Sequence, residues 1–219
     1  TIEPSTGTNL TLGAAGDAIS VASDSLKVDV WKDSGGNTLF QSDGAGTVTN
    51  VNSAIAGSGP KLISTQTFTD QATVSFTTGI DSTYDEYMWV FIDLKSDTDQ
   101  KMFQVNFSSD GGTTYAVTKT STFWRAYNNA NDTGSGLGYI DPYGLANSTG
   151  NQYLNLDNSS DATHVGVGTL KLYNPSSTTY VKHYMFNGNT VHYANITMNN
   201  YSGGFCDTTS AVNAAQFSY

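Results

Sequence analysis

The chain has 219 residues, enough for one large β domain with an appendage, and nineteen acidic against nine basic residues give it a net charge of -10. With one arginine, Arg125, and no basic cluster, it is not built to grip a nucleic-acid backbone or an anionic membrane, and no run of about 18 apolar residues is there to span a bilayer. Thirteen Tyr, ten Phe and three Trp argue against a disordered chain, and charged residues at only 13% leave Ser, Thr and Asn to build the surface.

Short alternating runs separated by turn residues predict an all-β fold. In residues 1–58 the runs are brief: Leu10–Leu12, Ile19–Val21, Leu26–Trp31, Leu39–Phe40 and Val48–Val51, divided by Gly35-Gly36-Asn37 and Asp43-Gly44-Ala45-Gly46. So few large apolar side chains cannot bury enough area to fold alone. This segment is expected to need contacts with other subunits, as an attachment or trimerisation segment. Ala56–Pro60 reads as a linker.

Residues 59–219 form the denser domain, a predicted β-sandwich of jelly-roll-like kind. Its expected strands are Lys61–Phe68, Thr73–Thr77, Glu86–Leu94, Met102–Ser108, Thr114–Trp124, His164–Tyr173, Thr179–Phe186, Val191–Thr197 and Ala211–Phe217. Glu86–Leu94 is apolar on both faces, which predicts a central strand. Gly166 and Gly168 on one face predict the close approach of another layer. Gln216–Tyr219 still reads as strand, so a last hairpin is expected beyond it.

Residues 126–162 are poor in apolar side chains and read as a long loop, the best candidate for a recognition surface. Trp124, Tyr127, Tyr139, Tyr143 and Tyr153 are the candidate ligand-binding residues there, for a glycan or a partner surface. Solvated tyrosines without a ligand are the competing reading.

Ser108-Ser109-Asp110-Gly111-Gly112-Thr113-Thr114-Tyr115 fits Ser-x-Asp-x-Gly-x-Thr-aromatic and resembles the Asp-box hairpin of sialidases and related propellers. Its physics is local: Ser108 and Asp110 bond loop backbone, Gly112 takes positive φ, Thr114 closes the turn and Tyr115 packs beneath it. One copy and one arginine do not make a sialidase. If Asn187-Gly188 is a two-residue turn, His183 faces His192 across a hairpin. Two imidazoles are too few for a structural zinc, so neither metal nor cofactor is expected. Cys206 stands alone and reads as a buried strand thiol. Asp81, Asp85, Glu86 and Asp93 keep a carbohydrate-active hydrolase as a minor alternative; no nucleophile elbow, P-loop or dinucleotide fingerprint appears, and no enzyme is expected.

The opening Thr1–Gly13, Gly59–Thr67, Ile80–Tyr87 and Leu172–His183 resemble tail-fibre-like surface virion proteins of marine bacteriophages. That resemblance implies a structural protein on the virion surface. It would be homotrimeric, bound to other virion proteins of capsid or tail, with a host glycan as ligand. Capsid decoration is the alternative role. No catalytic residue carries over.

Overall fold

In the computed structural model, residues 30–52 and 59–219 are described, and they belong to two compact units, one ending at Leu62 and the other beginning at Ile63. The predicted strands before Val30 and most of the predicted linker lie outside the described residues.

The first unit holds an antiparallel meander of β1 (Val30–Lys32), β2 (Thr38–Ser42) and β3 (Val48–Val51). Its two turns are made by aspartates. Asp33 Oδ1 accepts the Asn37 N–H at 2.8 Å, and Asp43 Oδ1 accepts those of Ala45 and Thr47 at 2.7 and 3.0 Å. Trp31 and Phe40 stack with centroids 5.5 Å apart. No side chain of these three strands is buried.

The second unit is all-β, with one short 3-10 turn at Asp141–Tyr143. Its strands are β4 (Thr73–Phe76), β5 (Glu86–Leu94), β6 (Lys101–Ser108), β7 (Lys119–Asn129), β8 (Ser135–Tyr139), β9 (Gln152–Asn158), β10 (Gly166–Tyr173), β11 (Lys182–His192), β12 (Ile196–Cys206) and β13 (Ala214–Ser218). All pair antiparallel. One layer runs β4-β13-β6-β9 and the other β5-β10-β11-β12-β7-β8. A single paired position, His192 with Asn158, joins them at β9–β11. The sheet thus folds over on itself as a sandwich, as expected from the sequence.

Alternation decides the core. Tyr87, Trp89 and Phe91 of β5, Leu170 and Leu172 of β10, and Tyr184 and Phe186 of β11 face inward against Phe103, Val105 and Phe107 of β6 and Phe217 of β13. The two layers meet through aromatic edges: Phe76–Trp89 at 6.2 Å, Trp89–Phe217 at 5.8 Å and Phe91–Phe103 at 5.1 Å. Gly168 makes room for the Phe186 ring, since a Cβ there would lie 2.7 Å from it. Gly166 faces Asn155 of the opposite layer, which is the close approach its sequence predicted.

Several expectations need correction. Val191–Thr197 is not one strand but spans the turn at 193–195 that joins β11 to β12. Lys61–Phe68 is an exposed run and not a strand: it reaches β4 through the Gln66 side chain, which donates to the Ser75 carbonyl at 3.2 Å, and forms no backbone ladder. The predicted Thr114 start of the following strand moves to Lys119: the turn built on Asp110 closes at Thr114, and residues 115–118 lie between it and the strand. Residues 126–162 are not one long loop: they hold the end of β7, all of β8 and all of β9. Strand β9 escapes hydropathy because Gln152, Asn155 and Asn158 are buried beside Leu154 and Leu156. Finally, β5 is an edge strand. Among the described residues it pairs with β10 alone, and the core covers one of its two apolar faces.

Candidate functional site

The outward face of the six-stranded layer is broad and nearly free of charge. Register places Val90, Thr169, Asn187, Tyr201, Trp124 and Tyr139 in one row across it. A neighbouring row runs Val167, Asn189, Asn199, Ala126 and Leu137. Among the described residues the face's one ion pair is Lys171 with Glu86 at 2.8 Å, whose carboxylate raises the lysine's pKa against a smaller opposing effect of burial.

Its β7–β8 end is aromatic. Trp124 and Tyr201, directly paired across β7 and β12, stack at 3.9 Å with planes 8° apart. Trp124 is 39% exposed and Tyr139, its partner on β8, 56%. Beside them lies an amide cluster: Asn189 Nδ2 donates to Asn199 Oδ1 at 2.7 Å and to Thr197 Oγ1 at 3.0 Å. Flat aromatic surface next to neutral donors and acceptors is the chemistry that grips uncharged polyols.

The predicted aromatic set divides between the two sides of the sheet. Trp124 and Tyr139 share the outer face. Tyr127, Tyr143 and Tyr153 pack inward around Phe123, Leu156 and Met198, with Tyr143 and Tyr153 edge to face at 5.2 Å. Burial is the main cause that raises the Tyr143 pKa, with Asp157 adding to it. Sequence alone missed Tyr201, since its partnership with Trp124 exists only through the β7–β12 register.

The inner group borders a polar cluster. Arg125 lies over the Tyr127 ring at 5.6 Å. Asp157 Oδ2 is 4.0 Å from Arg125 Nη1 and 3.8 Å from His192 Nε2. Burial lowers the His192 pKa, partly offset by Asp157.

The predicted histidine pair is overturned. Asn187 and Gly188 lie inside β11, which is continuous from Lys182 to His192. His183 is paired with Phe205 and His192 with Ile196, at opposite ends of one strand and on opposite faces. The Asn-Gly step runs straight because Asn187 and Gly188 are laddered to Tyr201 and Asn200. Among the described residues no group of three or more His, Cys, Asp or Glu side chains is placed to hold a metal ion.

The Asp-box-like turn forms as its residues predict. Ser108 Oγ donates to Asp110 Oδ1 at 2.5 Å and accepts the Gly112 N–H at 3.0 Å, and Asp110 Oδ1 accepts the Thr114 N–H at 2.9 Å. These bonds lower the Asp110 pKa. Tyr115 packs under Gly112, whose φ is 89°. Of the acids weighed for hydrolysis, Asp81 accepts the Tyr87 hydroxyl at 3.0 Å and Glu86 holds Lys171.

No protein-family model, curated protein or solved structure matches the chain. Among the described residues no helix is long and apolar enough to cross a membrane.

Proposed function

We propose that this chain is a non-enzymatic virion surface protein, a tail or head fibre component whose β-sandwich binds neutral carbohydrate on a host cell. The observation that carries the reading is the Trp124–Tyr201 stack with Tyr139 and the Asn189–Asn199 amides on one uncharged face. Pyranose rings present apolar C–H faces and many hydroxyls. Exposed aromatic rings cover the former and side-chain amides answer the latter, without any charge. The site is a flat face, so single contacts are weak, on the order of millimolar, and many copies on a particle multiply them. The same account makes the chain a homo-oligomer, a trimer by resemblance, anchored to other virion proteins and located at the particle surface.

Capsid decoration is the second reading. It is favoured by the β1–β3 meander, which buries none of its own side chains and so is suited to lie on a neighbouring protein. Immunogold labelling of purified marine phage particles with antibody to this chain separates the two. Gold on fibres supports the first reading, and gold evenly over the head the second. Particles that carry the chain's coding sequence and bind no gold contradict both.

A further inference from the structure

Strands β11 and β12 are joined by the three-residue turn at 193–195, and His192 holds it. The His192 carbonyl accepts the Asn195 N–H at 3.0 Å, and its ring Nδ1 accepts the Ala194 N–H at 3.0 Å. Asn195 has φ 57°, a left-handed conformation that asparagine tolerates better than most residues. The Asn195 carbonyl in turn accepts the Ala130 N–H at 3.0 Å, which ties this turn to the one between β7 and β8. The His192 side chain is 12% exposed and stacks on Tyr193 with centroids 4.1 Å apart.

Because Nδ1 accepts a hydrogen bond, the neutral ring carries its proton on Nε2. That nitrogen faces Asp157 Oδ2 of β9 at 3.8 Å, and Arg125 of β7 stands 4.0 Å from the same oxygen. Asp99, from the loop before β6, adds a second negative charge. Lys101, which opens β6 and is paired with Asn158 beside His192, is exposed. The two aspartates favour the charged ring. Burial, the largest effect, and Arg125 oppose it, so the ring titrates below its ordinary 6.5.

We propose that protonation of His192 opens the β11–β12 turn. The added proton goes onto Nδ1 and sets one N–H donor against another, the Ala194 N–H, where an acceptor stood 3.0 Å away. The charged ring is drawn to Asp157 through Nε2, a charge-assisted contact stronger than the neutral ring can make. The ring is thereby held from β9, and the turn is the part that gives. Its release frees Asn195 from Ala130 and loosens the entry to β12, where Thr197 and Asn199 hold Asn189 on the outer face. As regulation of the proposed carbohydrate face this rests on that reading, while the turn itself is read with no glycan present.

The test is amide exchange followed by NMR in the full chain at about pH 7.5 and about pH 5, each rate divided by that of an unfolded amide at the same pH. On that scale Ala194 and Ala130 should each exchange about ten-fold faster at the lower pH, as expected for the loss of one hydrogen bond. Gly112, whose N–H is bonded to Ser108 Oγ in a turn without histidine, should not change. His192→Asn sets an amide oxygen near the Nδ1 position and cannot take up a proton, so it should keep both amides protected in acid. Exchange of Ala130 that stays constant while the His192 ring titrates overturns the proposal, since that amide is bonded to Asn195 and not to the ring. The wild-type readings decide this without the variant. Acid-induced exchange that persists in His192→Asn also overturns it, because the trigger would then be another group. So do ring nitrogen shifts that place the neutral ring's proton on Nδ1.

Discussion

The Lys119 amine reaches Asn106 in the interior of the sandwich, its Nζ 2.6 Å from Asn106 Oδ1 and 2.7 Å from the Val117 carbonyl. Both side chains are buried, and among the described residues no carboxylate is paired with this lysine. Burial without a counter-charge moves its pKa down to about 8, against 10.5 for an ordinary lysine. Across the ladder Cys206 lies between Lys119 and Lys182, and burial pushes its thiol up to about 12.

The pH dependence of stability follows in sign. Folded Lys119 gives up its proton before the unfolded chain does. Stability is therefore lowest below about pH 8 and rises between pH 8 and 10.5, by at most about 3 kcal/mol. Cys206 has the opposite sign, costing stability as pH rises above 9 toward 12. Urea unfolding of the wild type and of Lys119→Met isolates the lysine, because Cys206 is common to both. The wild type should gain on the variant from pH 7.5 to 10. A constant difference would contradict a buried, unpaired amine.

Gly112 tests the Asp-box-like turn. Its φ is 89°, and a Cβ would stand 2.6 Å from Thr77 Cγ2 and 2.7 Å from the Tyr115 hydroxyl. At Gly111, φ is 75° but nothing lies within 4 Å. Gly111→Ala should cost about 1 kcal/mol for the backbone alone, and Gly112→Ala about 2–3 kcal/mol for backbone and clash together. Equal urea midpoints for the two variants would mean that Tyr115 does not pack under the turn.

His192 predicts behaviour on the acid side. Its Nδ1 accepts the Ala194 N–H at 3.0 Å, so the ring is held neutral, and burial lowers its pKa below 6.5. The unfolded chain takes up the proton first, and stability falls as pH drops through the range just below 6.5. His192→Gln should flatten the thermal midpoint between pH 7 and 5. The lowered aspartates Asp33, Asp43, Asp81, Asp110 and Asp161 act only at lower pH. A slope that survives the substitution would assign the effect elsewhere.

What the sequence disclosed divides along physical lines. Strands with aromatic or aliphatic alternation, such as Glu86–Leu94 and Met102–Ser108, were legible with bounds near the observed ones, because period-two burial of large side chains is a local signal. The turn at Asp110 was legible because its bonds are made within seven residues. Strand β9 was not, since buried amides such as Asn155, bonded to Asn200 of β12 at 3.3 Å, look like loop residues until their partner is known. The Asn187-Gly188 step reads as a turn locally, and only pairing with β12 reveals a straight strand. The two apolar faces of β5 predicted a central strand by the rule that apolar faces are covered. Within the second unit the core covers one face and no strand covers the other. The aromatic site was half legible: Trp124 and Tyr139 belong to it, Tyr127, Tyr143 and Tyr153 face the other way, and Tyr201 needs the register.

The central claim is that the uncharged Trp124–Tyr201–Tyr139 face binds neutral carbohydrate. The most direct measurement is binding of the full chain to an array of neutral polysaccharides, repeated with Trp124→Ala and with Tyr143→Phe as an inward-facing control. The account predicts retention on at least one neutral glycan, about a ten-fold loss with Trp124→Ala, little change with Tyr143→Phe, and urea midpoints for Trp124→Ala close to wild type. Binding that survives Trp124→Ala, or no binding to any neutral glycan at high copy density, would contradict it.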